Sequence, residues 1–160
     1  MLTLPSSANP SSSVCRFESR KQYRGFSDVS TINFNSTLGD TLEMPQGSLL
    51  RVNVDVFDQD PFGTDLIGRF SYVYISGADP ADITAFGGYS MLKLRFVSNF
   101  SDEGMQATTP APVNLPTRYF ARVQLLHFYN PDDRLYNGQL CDDLLFGMSS
   151  KCNPVFSVTY

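Results

Sequence analysis

Residues 50–68 read LRVNVDVFDQDPFGTDLIG, and the first half of this stretch alternates between apolar and polar side chains. The apolar positions are Leu50, Val52, Val54 and Val56, and the polar positions are Arg51, Asn53 and Asp55. Because successive side chains of a strand point to opposite faces, this period of two predicts a strand with one buried face. Valine at the inward positions favours such a pleated, half-buried surface.

The alternation ends at Phe57, and the sequence predicts an acidic loop after it. Asp58, Asp60 and Asp65 fall within this loop, and Leu66–Gly68 begins a second strand. Three carboxylates on one short loop repel each other, and calcium takes oxygen ligands of this kind. The loop is therefore a candidate calcium site, and the alternative is an acidic, solvated loop that binds no metal.

Composition excludes several classes of function. The chain has 160 residues, which predicts one domain or parts of two, and a net charge of −4 from 12 basic and 16 acidic residues. No basic run occurs, so nucleic acid is not an expected partner. No apolar run approaches the roughly 20 residues that cross a bilayer. The first ten residues lack the basic and apolar regions of a signal peptide, so we expect a cytosolic protein or a piece of a longer secreted one.

Enzymatic activity is not expected from this sequence. His127 is the one histidine, and it lies in an apolar strand, where a packed or edge histidine is the ordinary outcome. Serine nucleophile elbows, phosphate-binding glycine loops and zinc-spaced ligands are absent. The sequence therefore offers no catalytic residue.

Short alternating segments recur along the chain between Gly, Pro, Asn and Asp turns, and no segment shows a helical period with caps. Besides residues 50–57, the predicted strands are Thr31–Asn35, Arg69–Ile75, Met91–Val97, Tyr119–Tyr129 and Val155–Tyr160. Ser101–Pro116 is rich in Pro and Thr and predicts a linker or a long loop. Many short strands with regular turns predict an all-β sandwich.

Two segments resemble C2 domains, which are antiparallel β-sandwiches. The segment VFDQDPFGTDLIG resembles the third calcium-binding loop of that family, and its matching positions are Asp58, Asp60, Asp65, Ile67 and Gly68. The segment CNPVFSVTY, residues 152–160, resembles an early C2 strand. The resemblance implies a C2-like antiparallel β-sandwich, with calcium as the expected cofactor and Asn153 as a further ligand from the first loop.

Residues 123–143, VQLLHFYNPDDRLYNGQLCDD, and residues 149–160, SSKCNPVFSVTY, resemble the start of the N-terminal domain of Notch ligands (Delta, Serrate and Jagged), itself a C2-type sandwich. The matching positions are Asn130–Pro131, Asn137–Gly138, Cys141–Asp142, Cys152–Pro154 and Cys15–Phe17. The chain departs from the family where Cys141 stands for paired cysteines and Thr159 for another cysteine. A complete Notch-ligand activity is therefore not expected of these residues.

The order of the resembling segments is unusual. Residues 119–160 resemble the first strands of a module, residues 1–100 resemble its later strands, and residues 101–118 lie between them as a linker. One explanation is a fragment of a tandem array, holding the end of one module and the beginning of the next, and this is the one we favour. The other is a circular permutant of one sandwich, which termini lying close together permit.

The resemblance implies an extracellular recognition module for cell–cell signalling or adhesion, with a Notch-like cell-surface receptor or a phospholipid surface as its partner. It also favours a Cys141–Cys152 disulfide over two free thiols, and it gives Cys15 a partner outside this chain. Sequons at Asn35 and Asn99 are glycosylation candidates that agree with secretion. The alternative function is that of an intracellular, calcium-dependent phospholipid-binding C2 domain.

Overall fold

The computed structural model contains nine strands, arranged in two antiparallel sheets. It describes residues 20–34, 41–45, 47–61, 63–100, 118–141 and 151–160. The strands are β1 (Arg20–Tyr23), β2 (Thr31–Asn33), β3 (Thr41–Pro45), β4 (Leu49–Asp60), β5 (Gly63–Ile75), β6 (Ala81–Gly87), β7 (Ser90–Phe100), β8 (Arg118–Tyr129) and β9 (Pro154–Thr159). No helix occurs within the described ranges. The predicted all-β antiparallel sandwich is confirmed.

The first sheet has the strand order β1-β9-β4-β5, and the second has the order β2-β8-β7-β6, with β3 also paired to β8. β8 and β9 pair with β7 and β4, which come from the first hundred residues. Both sheets therefore combine strands from residues 1–100 and 119–160. Whether the chain is a fragment of a tandem array or a circular permutant of one sandwich stays a prediction.

The core lies between the sheets and consists of alternate positions of the long strands. In β4, Val52, Val54 and Val56 are fully buried, and the side chains between them are exposed or partly exposed. Strands β5, β7 and β8 contribute the buried residues Phe70, Tyr72, Tyr74, Leu92, Leu94, Phe96, Val123, Leu125 and Phe128. They lie on the strands predicted at Arg69–Ile75, Met91–Val97 and Tyr119–Tyr129. Each such apolar side chain stabilises the fold by about 1.5–3 kcal/mol through burial.

An aromatic cluster fills the core at one side of β9. The ring of Phe156 makes edge-to-face contacts with those of Phe26, Phe34 and Phe128, at centroid distances of 5.7, 5.2 and 5.2 Å. Such aromatic pairs add about 0.5–1.5 kcal/mol beyond their burial. Val155 and Ser157, on the other face of β9, are buried as well. β9 is therefore the most enclosed strand of the first sheet.

The prediction of an acidic loop from Phe57 to Leu66 is wrong, because the connection between the two strands is much shorter. β4 continues to Asp60, and β5 begins at Gly63, with a shift in register between Val56 and Phe57. Asp58 keeps the inward register of the valines before it, because its carboxylate accepts a hydrogen bond from a neighbouring segment. A polar residue in a buried position interrupts the apolar alternation without ending the strand.

Two strands are not predicted from the sequence, and some of the predicted features lie outside the described residues. Strands β3 and β6 have no predicted counterpart, since each is a short edge strand with a weak apolar pattern. Asn99 lies on β7 opposite Phe120. Cys15, Asn35 and residues 101–117 of the predicted linker lie outside the described residues.

Candidate recognition surface at the loop end

Several connecting segments meet at one end of the sandwich, which we call the loop end. It comprises the tip of the β4–β5 hairpin (57–61 and 63–66), the β6–β7 turn (87–90), the loop after β8 (130–141) and residues 151–153. The backbone N–H of Tyr136 donates to the carbonyl of Leu66 at 2.7 Å, which joins the loop after β8 to β5. The N–H of Gln59 donates to the carbonyl of Asn153 at 3.1 Å, which joins β4 to residues 151–153. These bonds hold the segments in one surface.

Asn153 is the centre of the contacts between β4 and residues 151–153. Its backbone N–H donates to Oδ1 of Asp58 at 2.6 Å, and its side-chain Nδ2 donates to Oδ1 of Asp60 at 3.4 Å. Its side-chain Oδ1 accepts the backbone N–H of Asp28 at 3.0 Å. The structure thus brings together three of the four residues predicted to bind calcium, although they are 93 and 95 positions apart in the sequence.

The fourth predicted ligand, Asp65, lies opposite Asp58 in the β4–β5 register. Its side chain is exposed, whereas that of Asp58 is fully buried. Among the described residues, no group of three or more Asp, Glu, His or Cys side chains is placed to hold a metal ion. Calcium takes six to eight oxygen ligands, and Asp58 and Asn153 each already use one side-chain oxygen as a hydrogen-bond acceptor. Calcium binding stays a prediction.

Cys141 and Cys152 have their sulfur atoms at disulfide-bonding distance, with Cα atoms 5.2 Å apart. The predicted pair is therefore formed, and both residues are buried. The bond fastens the end of the loop after β8 to the segment that leads into β9. A disulfide is compatible with an extracellular protein, since such bonds persist in oxidising compartments.

Asn130 supports this disulfide from a fully buried position. Its Nδ2 donates to the carbonyl of Arg134 at 3.0 Å and to Sγ of Cys152 at 3.3 Å. Its backbone N–H donates to the carbonyl of Ser30 at 2.8 Å. A buried amide must find such partners, because leaving them unmade costs about 1–3 kcal/mol. Asn130 thus links the loop after β8 to the disulfide and to the start of β2.

The loop after β8 packs on the β6–β7 turn through aromatic contacts. The guanidinium of Arg134 lies 5.9 Å from the ring centroid of Tyr89, and its Nη1 donates to the carbonyl of Gly138 at 2.6 Å. Gly88 has a φ of +69°, and a β-carbon there would lie 2.9 Å from Cδ2 of Tyr136. Glycine is required at this position both for its backbone conformation and for the close approach.

Apolar side chains remain exposed at the loop end despite this packing. Tyr89, Tyr136 and Leu140 have 51%, 50% and 39% of their surface exposed. Tyrosines with one apolar face and one polar tip are enriched where proteins contact partners. The hydrogen bonds around them fix the backbone, so the surface is formed before a partner arrives. Such an arrangement can bind a partner.

Two residues of this surface escape prediction from sequence. Asn130 stands in the tetrapeptide NPDD, which predicts an exposed turn, and nothing in the local pattern announces its burial. Tyr89 follows Gly87–Gly88 and carries no signal beyond the turn itself. The contacts of both become visible only when the loop after β8 is placed against the β6–β7 turn.

No helix in the described ranges is long and apolar enough to cross a membrane. Comparison of the whole chain with protein families finds no family that matches it. Comparisons with curated proteins and with solved structures likewise find no match.

Proposed function

We propose that this protein is an extracellular recognition module that contacts a cell-surface receptor through its loop end, in cell–cell signalling or adhesion. The function is the one that the resemblance to the N-terminal domain of Notch ligands implies. The observation that carries the proposal is the exposure of Tyr136 and Leu140, on a loop held by the Cys141–Cys152 disulfide, and of Tyr89, on the β6–β7 turn against which that loop packs. A rigid loop loses little conformational entropy on binding, so less of the contact energy of its exposed side chains is offset by the cost of ordering them.

A second candidate is calcium-dependent binding to a phospholipid surface. The specific observation in its favour is the position of Asp60 and Asp65 on the hairpin tip, to which the exposed Tyr136 is joined by its backbone hydrogen bond to Leu66. Calcium bound by these carboxylates would reverse the local charge and allow contact with anionic headgroups. Apolar loop residues could then enter the interfacial region of the bilayer.

The test uses a fluorescent tetramer of the oxidised protein, with binding to intact cells read by flow cytometry. We expect the double variant Tyr89→Ser/Tyr136→Ser to bind about tenfold more weakly, since exposed aromatic anchors dominate interface energies. Ile75→Ser is the matched control, because Ile75 is 52% exposed on the outer face of β5, away from the loop end. Equal loss of binding in both variants, or no loss in the double variant, would contradict the proposal.

Two further arms separate the receptor from the lipid. Trypsin treatment of the cells should abolish binding if the partner is a protein. Sedimentation with vesicles of phosphatidylcholine and phosphatidylserine, in calcium and in EGTA, tests the alternative directly. Calcium-dependent sedimentation that Asp60→Asn removes would replace the receptor with the phospholipid surface. Thermal unfolding of each variant verifies that the fold is intact.

A further inference from the structure

The outer face of the second sheet carries rows of side chains that have different chemistry. Because β6, β7, β8 and β2 lie side by side, residues in register form rows across them. An apolar row consists of Phe86, Met91 and Tyr129. The adjacent polar row consists of Thr84, Lys93, His127 and Asn33. The apolar row borders the loop end, because Phe86, Met91 and Tyr129 adjoin its residues 87, 90 and 130, but the receptor proposal uses no residue of either row.

The apolar row is open to solvent at both ends. Phe86 on β6 is 79% exposed, the highest value among the exposed large apolar residues described, and Tyr129 on β8 is 40% exposed. Two strand spacings separate them, which places the rings about 10 Å apart across the sheet. Tyr129 is held in place by a stacked contact with His127, at a centroid distance of 6.4 Å. The row is thus a flat strip with an aromatic ring near each end.

The polar side of the same face is cationic. Lys93 and Arg95 on β7 both pair with the single carboxylate of Asp82, at 3.1 and 2.7 Å, so one positive charge is left over. Arg122 is exposed on the same face of β8, two residues before Gln124, which lies opposite Arg95. His127 and Asn33 are hydrogen bonded at 2.7 Å through Nδ1 and Oδ1. Glu43 on β3 is exposed on this face too, so its described side chains include three cations and two carboxylates, a net charge of +1 in a chain whose net charge is −4.

We propose that this face binds an acidic polysaccharide, a chain of sugars that carry carboxylate or sulfate groups. The apolar C–H face of a sugar ring fits against Phe86 and Tyr129. Carboxylate or sulfate groups form charge-assisted hydrogen bonds with the side chains of Lys93, Arg95 and Arg122. The hydroxyl and amide groups of the polar row match sugar hydroxyls. An acidic polysaccharide contacts both the aromatic strip and the cations, whereas a purely apolar partner or a simple anion would contact only one of them.

A single-stranded nucleic acid also combines stacking surfaces with negative charge, and the observations favour it less. Proteins that bind it attract a phosphate at every nucleotide, and they are strongly basic as a whole. This chain is not basic as a whole, since its sequence pI is about 4.8. The disulfide also fits an oxidising compartment, where extracellular polysaccharides are found.

Chromatography of the intact, oxidised protein on immobilised heparin tests the proposal, with dextran and a single-stranded oligothymidine as soluble competitors. We expect retention that heparin competes for and that the other two do not. The variant Phe86→Ser/Tyr129→Ser should bind about tenfold more weakly in a titration, since each ring is an aromatic anchor. Ile75→Ser serves as the control here too, because it removes an exposed apolar side chain from the outer face of the other sheet.

Asp82→Asn gives a test in the opposite direction. Removing this carboxylate releases Lys93 and Arg95 for the ligand, so the variant should elute from heparin at higher salt than the parent. No retention of the parent would overturn the proposal. Retention that the aromatic variant leaves unchanged would overturn it as well, because the face would then be a simple cation exchanger. Equal competition by oligothymidine would replace the polysaccharide with nucleic acid. Thermal unfolding of each variant identifies any that fail to fold.

Discussion

Removal of the Cys141–Cys152 disulfide should lower the free energy of unfolding by about 4 kcal/mol. The perturbation is the double variant Cys141→Ala/Cys152→Ala, made in a Cys15→Ser background because the chain has 3 cysteines and the third can exchange with the pair. The cross-link spans 11 positions of sequence. In the chain-entropy model, a loop of this length contributes about 3 kcal/mol by restricting the unfolded chain.

The remaining part of this estimate comes from Asn130. Its buried Nδ2 loses Sγ of Cys152 as an acceptor and keeps the carbonyl of Arg134. A buried donor that loses one of two acceptors costs about 1 kcal/mol. Small domains have about 5–15 kcal/mol of stability in total, so the loss is a large fraction of it.

Urea denaturation followed by tyrosine fluorescence measures this effect, since the chain has 8 tyrosines and no tryptophan. The denaturant dependence of the unfolding free energy should rise in the variant, because its unfolded chain is more expanded. The Cys15→Ser protein treated with a reducing agent should lose only about 3 kcal/mol, because its Cys152 sulfur remains as an acceptor for Asn130. A variant whose unfolding free energy stays within about 1 kcal/mol of the oxidised parent would refute the reasoning, because the loop entropy alone exceeds that figure.

Three further outcomes follow from the fold. Phe156→Ala should lower the unfolding free energy by about 3–5 kcal/mol, measured by urea denaturation, since it empties the centre of the aromatic cluster. The pKa of Asp82 is lowered from 3.8 to about 2, chiefly by the hydrogen bond from Arg95. The ionised Asp82 therefore stabilises the fold fully above the unfolded-state pKa of 3.8, and this stabilisation is lost as the pH falls through about 2. The difference in unfolding free energy between the parent and Asp82→Asn should vanish across that pH range. Gly88→Ala should lower the melting temperature and cost about 1–3 kcal/mol, because its backbone is left-handed and its β-carbon would meet the ring of Tyr136; an unchanged melting temperature would contradict this.

The parts of the fold that the sequence predicts are those where apolar alternation is strong. In β4 and β7, the buried valines and leucines recur at every second residue, so the sequence alone identifies which face of each strand is buried. β6 is different, because Ala81, Ile83 and Ala85 are only partly buried at the edge of the sheet, and its outward residues include Phe86. An edge strand with one small apolar face and one exposed aromatic has no clear period to detect.

The candidate site is predicted less completely for a related reason. Asp58 and Asn153 are identified as members of one site by their resemblance to C2 loops, and the structure brings them into contact. Their actual arrangement, with Asp58 buried beneath the backbone of Asn153, depends on β9 lying beside β4. Such contacts join residues distant in sequence, and local propensity carries no information about them. The same holds for Asn130, whose burial is set by the disulfide and by Ser30.

The position of β9 also determines the order of events during folding. β1 pairs only with β9 among the described strands, and β4 has β9 on one side, so the first sheet stays divided until β9 has been synthesised. The ribosome therefore releases β4 and β5 long before the partner that completes their sheet. Pairing between such distant segments is slow, and open strand edges attract other chains in the meantime. We expect nascent chains of this protein to depend on chaperones during that interval, and expression at lower temperature to raise the soluble yield.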